Sequence, residues 1–495
     1  MTALEHISRE GGENFEVALE QAPPLQCQQI ARRVPGRRVV CSATWQGRAV
    51  YAKLFIGEKA VRYANRDARG AKALMESGLS TPELLHQGAI AGEQGQVLIF
   101  AFVPESRNLE EVWNAADLHQ RHALADKLIR TVAAHHTAGV MQTDLYLRNF
   151  LLAADVIYTL DGDGIRIYPE GVSRELALEN FALLLSKLNA PDDARTAEWL
   201  ALYAQARGWD EPVLLEELQT RVRAVRYQTV QKFVARKVLR DCTDIFVERR
   251  FDRYLAVVRA EMDDDLKRVI DNPDSFFQAP DSAYLKRGKT CTIILAQSGA
   301  RRVVIKRYNI KNFRHAISRA WRPSRASVSW SNAHMLRAFE IPTPIPLALI
   351  ERRWGVLRRE AWLLMSYAEG PDIADVLADG FLSEEQKRDI ALRAANLLHQ
   401  LRLLRIEHGD MKATNIKWVN GAPLLLDLDA MKLHRDEKQF ARRHMRDLRR
   451  FLKNWKKTPD ILTMVKSALI LAYGDDPLLA QIGVKKAVET TSEKL

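Results

Sequence analysis

Short apolar runs that end in a charged residue recur along the 495-residue chain, each followed by a turn and an amphipathic stretch. Val50-Tyr51-Ala52-Lys53 and Val303-Val304-Ile305-Lys306 read as strands ending in lysine, each preceded across a turn (Gln46-Gly47, Ser298-Gly299) by another candidate strand. GLSTPELL (Gly78 to Leu85) and EIPTPIPL (Glu340 to Leu347) both read as a helix end, a Thr-Pro turn and a strand. VLIFAFVPESRNLEEV and WLLMSYAEGPDIADVL follow, each a buried strand, a polar crossing and a helix. Apolar positions at three- and four-residue spacing predict helix over residues 186–280. The stretch KQFARRHMRDLRRFLKNWKKTPD, from Lys438, predicts a basic amphipathic helix. Residues 1–23 are expected to be loosely ordered. They lack the basic start and apolar core of a signal peptide. No apolar run reaches the ~18 residues of a membrane span.

The two series are copies of one pattern. Asp144 precedes Asn149 by five residues and Asp161 by seventeen; Asp410 stands in the same relation to Asn415 and Asp427. All three pairs are separated by 266 residues. A single D-x4-N match is weak, but two copies at one offset, each followed by a strand ending in aspartate, set the domain count at two. The second copy holds 13 extra residues between lysine and aspartate, an excess assigned to the basic stretch NIKNFRHAISRAWRPSRA.

Charge separates the copies. Residues 1–265 hold 33 Lys/Arg and 37 Asp/Glu, whereas residues 266–495 hold 41 and 25. From Ser282 to Phe339 there are 13 basic residues and no acid, which points to a polyanionic partner. The four cysteines form no CxxC pair, so neither a zinc site nor a disulfide framework is indicated, and reduced thiols in a cytosolic protein are expected.

Phosphoryl transfer asks a protein mainly to neutralise charge and align reactants. A strand lysine can hold the phosphates, and a loop aspartate can take or orient the acceptor proton. An asparagine five residues later and an aspartate after the next strand can hold magnesium. The order Lys, Asp, Asn, Asp is that of protein kinases. About twenty residues separate Asp427 from the Arg446-Asp447-Leu448 helix, too few for a long activation segment, which favours a small-molecule or glycan kinase.

HGDMKATN and LLLDLD resemble the catalytic loop and metal-binding segment of the lipopolysaccharide kinase family, which contains bacterial kinases for core heptose and Kdo sugars. SRASVSWSNAHMLRAFEIPTPIPLALIERR, from Ser324 to Arg353, resembles the same family, and QTDLYLRNFLL its heptose-kinase branch. The resemblance covers residues 30–185 and 280–460 in round terms. It implies an α+β fold of two tandem bilobal protein-kinase-like domains, each with a small β-rich N-lobe and a helical C-lobe. It also implies ATP and Mg2+ as cofactors and a sugar hydroxyl as acceptor. On this reading Lys306 grips the ATP phosphates, Asp410 is the base or acceptor-orienting residue, Lys412 contacts the γ-phosphate, and Asn415 and Asp427 hold magnesium. Lys53, Asp144, Asn149 and Asp161 take the matching roles in the first copy. The expected division is an extension (1–23), a first domain (24–230), a helical linker (231–280), a second domain (281–475) and a tail (476–495).

The fit has departures. GxGxxG is absent, so Gly36 and Gly288 are the candidates to cover the phosphates, with an ordinary hairpin turn as the equal alternative. Spacing offers Asp67 as the helix acid for Lys53, but the same register gives Ser329 in the second copy, leaving Glu360 as a substitute partner for Lys306. Gln142 and Tyr146 stand where the second copy has His408 and Lys412. Asp447 and Asn180 are candidate anchors for the catalytic loops. Asp163 and Asp429 are each read as a metal contact or a solvent-facing acid. The expected partner is the lipopolysaccharide core or lipid A glycolipid at the anionic inner face of the inner membrane, with no nucleic acid. A pseudokinase scaffold and a soluble kinase of aminoglycoside-phosphotransferase type are the alternatives, and the basic second half disfavours the latter.

Overall fold

A computed structural model describes residues 3–9, 12–210, 213–242, 244–288, 290–309, 322–355 and 357–484. Most of the basic insert, residues 310–321, lies outside them. The chain divides into two compact units, residues 1–188 with 192–226 and residues 189–191 with 227–495.

In the first unit, six antiparallel strands form one sheet: β1 (Phe15–Leu19), β2 (Ala22–Val34), β3 (Arg38–Trp45), β4 (Arg48–Ile56), β5 (Leu84–Ala89) and β6 (Gly95–Ala101). Their order is β1-β2-β3-β4-β6-β5. Side chains alternate across a strand. Val50, Ala52 and Leu54 of β4 therefore join Val39, Cys41, Val97 and Ile99 on one face. Phe55 goes to the other face with Leu98 and Phe100, where the alanines of α2 (Ala60–Glu76) cover them. Lys53 shares the parity of Phe55, so the strand period alone aims it at α2. The described residues of the N-terminal extension are not loose: α1 (Ala3–Arg9) precedes β1, and Leu4, Val17 and Leu19 are buried in the sheet's core. Alternating apolar residues over only five positions sufficed to add that edge strand.

The helical part of this unit packs α3 (Leu118–Thr137), α4 (Arg174–Leu185) and α5 (Thr196–Arg207) around Leu128, Val132, Phe150, Phe181, Trp199 and Tyr203. Helix α6 (Leu215–Arg236) follows, and the division between units falls inside it, after Arg226.

The second unit holds a seven-stranded antiparallel sheet. Its strands are β7 (Ile245–Arg249), β8 (Arg253–Val258), β9 (Ala283–Arg287), β10 (Cys291–Ser298), β11 (Arg301–Tyr308), β12 (Pro346–Trp354) and β13 (Leu357–Ser366), in the order β7-β8-β12-β13-β11-β10-β9. The helical linker expected over 231–280 is therefore corrected: β7 and β8 belong to the sheet, and only α7 (Asp264–Asp271) is α-helical between them and β9. Leu255, Ala256 and Val257 are buried by pairing with β12, a long-range gain that the local three- and four-residue spacing did not register.

Val303 and Ile305 of β11 face α7, whereas Tyr308 faces α8 (Arg325–Ala338) with Trp330. Lys306 again shares the parity of the helix-facing residue. The helical core gathers α9 (Glu384–Leu403), α10 (Glu437–Leu452) and α11 (Pro459–Tyr473). Helices α3 and α9 both begin with a capping box, Asp117 with Gln120 and Ser383 with Gln386. The expected tail is ordered at its start: α12 (Pro477–Gln481) buries Leu478 and Leu479. No described helix is long and apolar enough to cross a membrane.

Candidate active site

In the first unit the Lys53 ammonium donates to both oxygens of Asp67 on α2, at 2.9 and 2.8 Å, and to Leu160 O at 3.2 Å. Asp161 lies 3.7 Å from the same ammonium. Burial pushes the Asp67 carboxyl up against the pull of Lys53. Burial also works against the charge of Asp161, but Lys53 and Arg38 outweigh it and hold that carboxyl low.

The helix can sit this close because two glycines meet. A Cβ on Gly70 of α2 would lie 2.0 Å from Gly162 O, and one on Gly162 would lie 2.0 Å from Asp67 O. This backbone contact joins α2 to the turn that follows Asp161.

The remaining residues are placed by hydrogen bonds that recur in the second unit. Asn149 donates its side-chain amide to Asp144 O at 2.9 Å, and Asn415 donates to Asp410 O at 2.8 Å. The hydroxyls of Thr81 and Thr343 donate to Thr159 O and Leu425 O, at 2.8 and 2.9 Å. Gln142 donates to Asp161 O at 3.1 Å, and the His408 ring contacts Leu426 O at 2.9 Å, so each side chain bridges its loop to the strand end that carries the second aspartate. Asn180 donates to Gln142 O, while the buried Asp447 accepts from the N–H groups of His408 and Gly409. Each loop is thereby tied to a helix of its own unit.

The units differ at the lysine. Lys306 has no acid on α8. It donates to Asp427 at 2.7 Å and to Asp429 at 2.8 Å. Glu360, the expected substitute, pairs with Arg359 instead. Asp429 is buried and also accepts from Tyr308 at 2.6 Å, from Arg325 at 2.6 Å and from the Ser329 hydroxyl. Burial alone would raise its carboxyl, but Lys306 and these donors hold it below the usual range. Burial likewise opposes the charge on Lys306, yet Tyr308, Asp429 and Asp427 keep its pKa above the ordinary lysine value. Asp427 takes a left-handed conformation (φ 57°, ψ 65°), a strained choice for a non-glycine residue. The Gly70–Gly162 contact is replaced by Asn332, which donates to Leu428 O and Met431 O at 2.9 and 3.1 Å. Asp163, by contrast, is half-buried in a pair with Arg66.

The first unit encloses a cleft of 610 Å³ lined by Lys53, Asn149, Asp161, Arg32, Arg38 and Arg148, with Tyr51 and Phe102 stacked 5.9 Å apart on its wall. Sequence reasoning missed Arg32, Arg148 and the aromatic pair. Burial and the charges of Arg38 and Arg148 lower the pKa of Arg32, the mark of cations crowded together. Gly36 turns with φ 65°, but its N–H already donates to Ser8 Oγ at 2.8 Å. Gly288 presents its carbonyl to Asn309 at 3.3 Å. Asp144 is half-buried, and burial pushes its carboxyl up while Arg148 pulls it down. In the second unit Asp410 is paired with Lys412 at 3.0 Å and with Arg450 at 2.5 Å.

The donor set suits magnesium. Each asparagine spends its amide N–H on an aspartate carbonyl, which leaves Oδ1 to accept a cation beside the next carboxylate. Among the described residues no three His, Cys, Asp or Glu side chains form a metal cluster. One or two protein oxygens completed by phosphates and water are the usual Mg2+ arrangement.

Residues 286–473 match the model of the lipopolysaccharide kinase (Kdo/WaaP) family. No curated protein matches the chain. A solved structure described as a 2.2 Å crystal structure of WbdD is 15% identical over 43% of this chain, with a TM-score of 0.32. The chain spans about half of that structure, 53% of its length. The stretch of the second unit that is similar to the lipopolysaccharide kinase (Kdo/WaaP) family, residues 286–473, contains Lys306, Asp410, Asn415 and Asp427, gathered as described.

Proposed function

We propose that the chain is an ATP- and Mg2+-dependent kinase that phosphorylates a sugar hydroxyl, heptose or Kdo, of the lipopolysaccharide core. The two units act as tandem bilobal kinase-like domains. The observation that carries this reading is the duplicated set of bonds: in each unit the strand lysine reaches the second aspartate, at 3.7 and 2.7 Å, while the asparagine is tied to the first.

Lys53 and Lys306 neutralise the donor's phosphates. Asn149 with Asp161, and Asn415 with Asp427, hold the metal, which when bound supplies charge neutralisation at the phosphates. Asp144 and Asp410 orient the acceptor hydroxyl and take its proton as its oxygen bonds the γ-phosphorus and the bridging P–O bond breaks. Lys412 contacts the γ-phosphate. Arg32, Arg38 and Arg148 supply phosphate contacts in the first cleft, where no glycine-rich loop is present. The exposed face of α10, with Arg442, Arg443, Arg446 and Arg449, suits an anionic inner-membrane surface, which would place the protein on the cytoplasmic side.

The test pairs Asp144→Ala with Asp410→Ala and measures phosphate on purified core glycan. Loss of about ten-fold or more in either variant is the expected size for removing a base. Undiminished transfer in both would refute the kinase reading. A second reading, a non-catalytic first unit serving a catalytic second, is favoured by the reach of the family match, which begins at residue 286. Under it only Asp410→Ala loses transfer.

A further inference from the structure

Each oxygen of Asp410 faces a cation. Its Oδ1 is sealed from solvent and makes no aligned hydrogen bond, yet Arg450 Nη2 stands 2.5 Å away. Its Oδ2 is 3.0 Å from Lys412 Nζ. An oxygen sealed under a guanidinium cannot meet a hydroxyl, so in this arrangement Oδ1 is locked and only Oδ2, beside Lys412, is open to an acceptor.

The lock is built to open. Arg450 and Lys412 keep 48% and 42% of their side-chain surface exposed, and ion pairs this exposed are weak, typically ~0–1 kcal/mol. Arg450 lies one turn after Asp447, the buried acid that fixes the loop's backbone. The loop therefore stays in place while the arginine moves. Arg446 is exposed one turn earlier on the same face of α10. The first unit lacks this device: Tyr146 occupies the position of Lys412, and Arg148 and Lys187 lie over its ring at 4.7 and 4.0 Å.

We infer that Arg450 forms an anion-binding subsite on the acceptor side of the second unit, and that an acceptor must already carry a phosphate or carboxylate to draw it off Asp410. The guanidinium exchanges an unaligned contact for a charge-assisted, two-pronged one with the incoming anion, which holds the neighbouring hydroxyl against the freed carboxylate. Arg450 is thus a specificity-determining residue. The inference rests on reading Asp410 as the acceptor-side base.

The experiment uses the full chain with labelled ATP and three forms of purified lipopolysaccharide core: native, dephosphorylated and carboxyl-reduced. Transfer kinetics and calorimetric binding are measured for wild type, Arg450→Gln and Arg450→Lys. Wild type is expected to lose about ten-fold in kcat/KM and in affinity on one stripped core, which identifies the anion. Arg450→Gln is expected to treat that core and the native one alike to within about two-fold, with Arg450→Lys in between. Equal use of all three cores by wild type, or discrimination retained by Arg450→Gln, would overturn the inference while leaving the kinase reading in place. Discrimination in binding without any transfer would uphold the anion subsite and remove the kinase reading.

Discussion

Lys306 donates to Asp429 at 2.8 Å, and the same carboxylate accepts from Ser329 on α8. In the first unit Asp67 on the corresponding helix supplies the countercharge directly. The acid has moved from helix to loop, and a serine hydroxyl now links the helix to it. The second unit thus keeps a helix-to-loop-to-lysine connection with its charge relocated.

That relocation makes Asp429 and Asp163 unequal although they occupy equivalent positions in sequence. Asp429→Asn leaves buried Lys306 and Arg325 short of an anion and is expected to cost about 3–5 kcal/mol. Asp163→Asn removes a pair with about a third of its surface exposed, for which a loss of ~0–1 kcal/mol is expected. Urea denaturation of the two variants checks the difference. Equal losses would contradict the burial argument.

Gly70→Ala is expected to act through the backbone. The new methyl would meet Gly162 O at 2.0 Å and drive α2 from the turn after Asp161, carrying Asp67 away from Lys53. Overpacking of this kind costs about 1–3 kcal/mol. Assayed with Asp410→Ala in the background, the variant should lose whatever transfer the first unit performs. The same substitution should leave transfer unchanged when assayed against Asp144→Ala.

Asn415→Ala and Asn149→Ala remove the amide tie to Asp410 O and Asp144 O and, on the proposed reading, the oxygen offered to magnesium. The Mg2+ concentration giving half-maximal transfer should rise by about ten-fold or more. A magnesium titration of each variant, with ATP held fixed, reads this directly. A fall in rate at unchanged magnesium demand would assign the asparagines to loop support alone.

Four histidines, three buried and His334 half-buried, set an acid limit. Burial lowers His135, His136 and His334 to about 4, and His444 to about 3, from an ordinary value of 6.5. A histidine depressed on folding takes up its proton more readily when unfolded. Its stability contribution is therefore present above pH 6.5 and is lost as pH falls towards 4. At ~1.4 kcal/mol per unit the loss reached by pH 4 is about 3 kcal/mol per site. Urea midpoints should hold level above pH 7 and drop between 6.5 and 4, and His444→Gln should flatten part of that drop.

The order Lys, Asp, Asn, Asp, its duplication at one offset, and the helix-facing aim of both lysines were legible in the sequence. Each depends on local spacing: a period of two along a strand, five residues across a turn. The anchors Asp447 and Asn180 were also in reach, because their positions follow from helix order. The edge strand of residues 15–19 and the pairing of residues 253–257 with β12 were not, since short apolar alternation gains burial only once a partner strand exists. The countercharge of Lys306, the Gly70–Gly162 contact and the cover of Asp410 by Arg450 join residues 123, 92 and 40 positions apart. Such pairings are chosen by which elements pack together and by how little water remains between them. Only the tertiary structure could decide them.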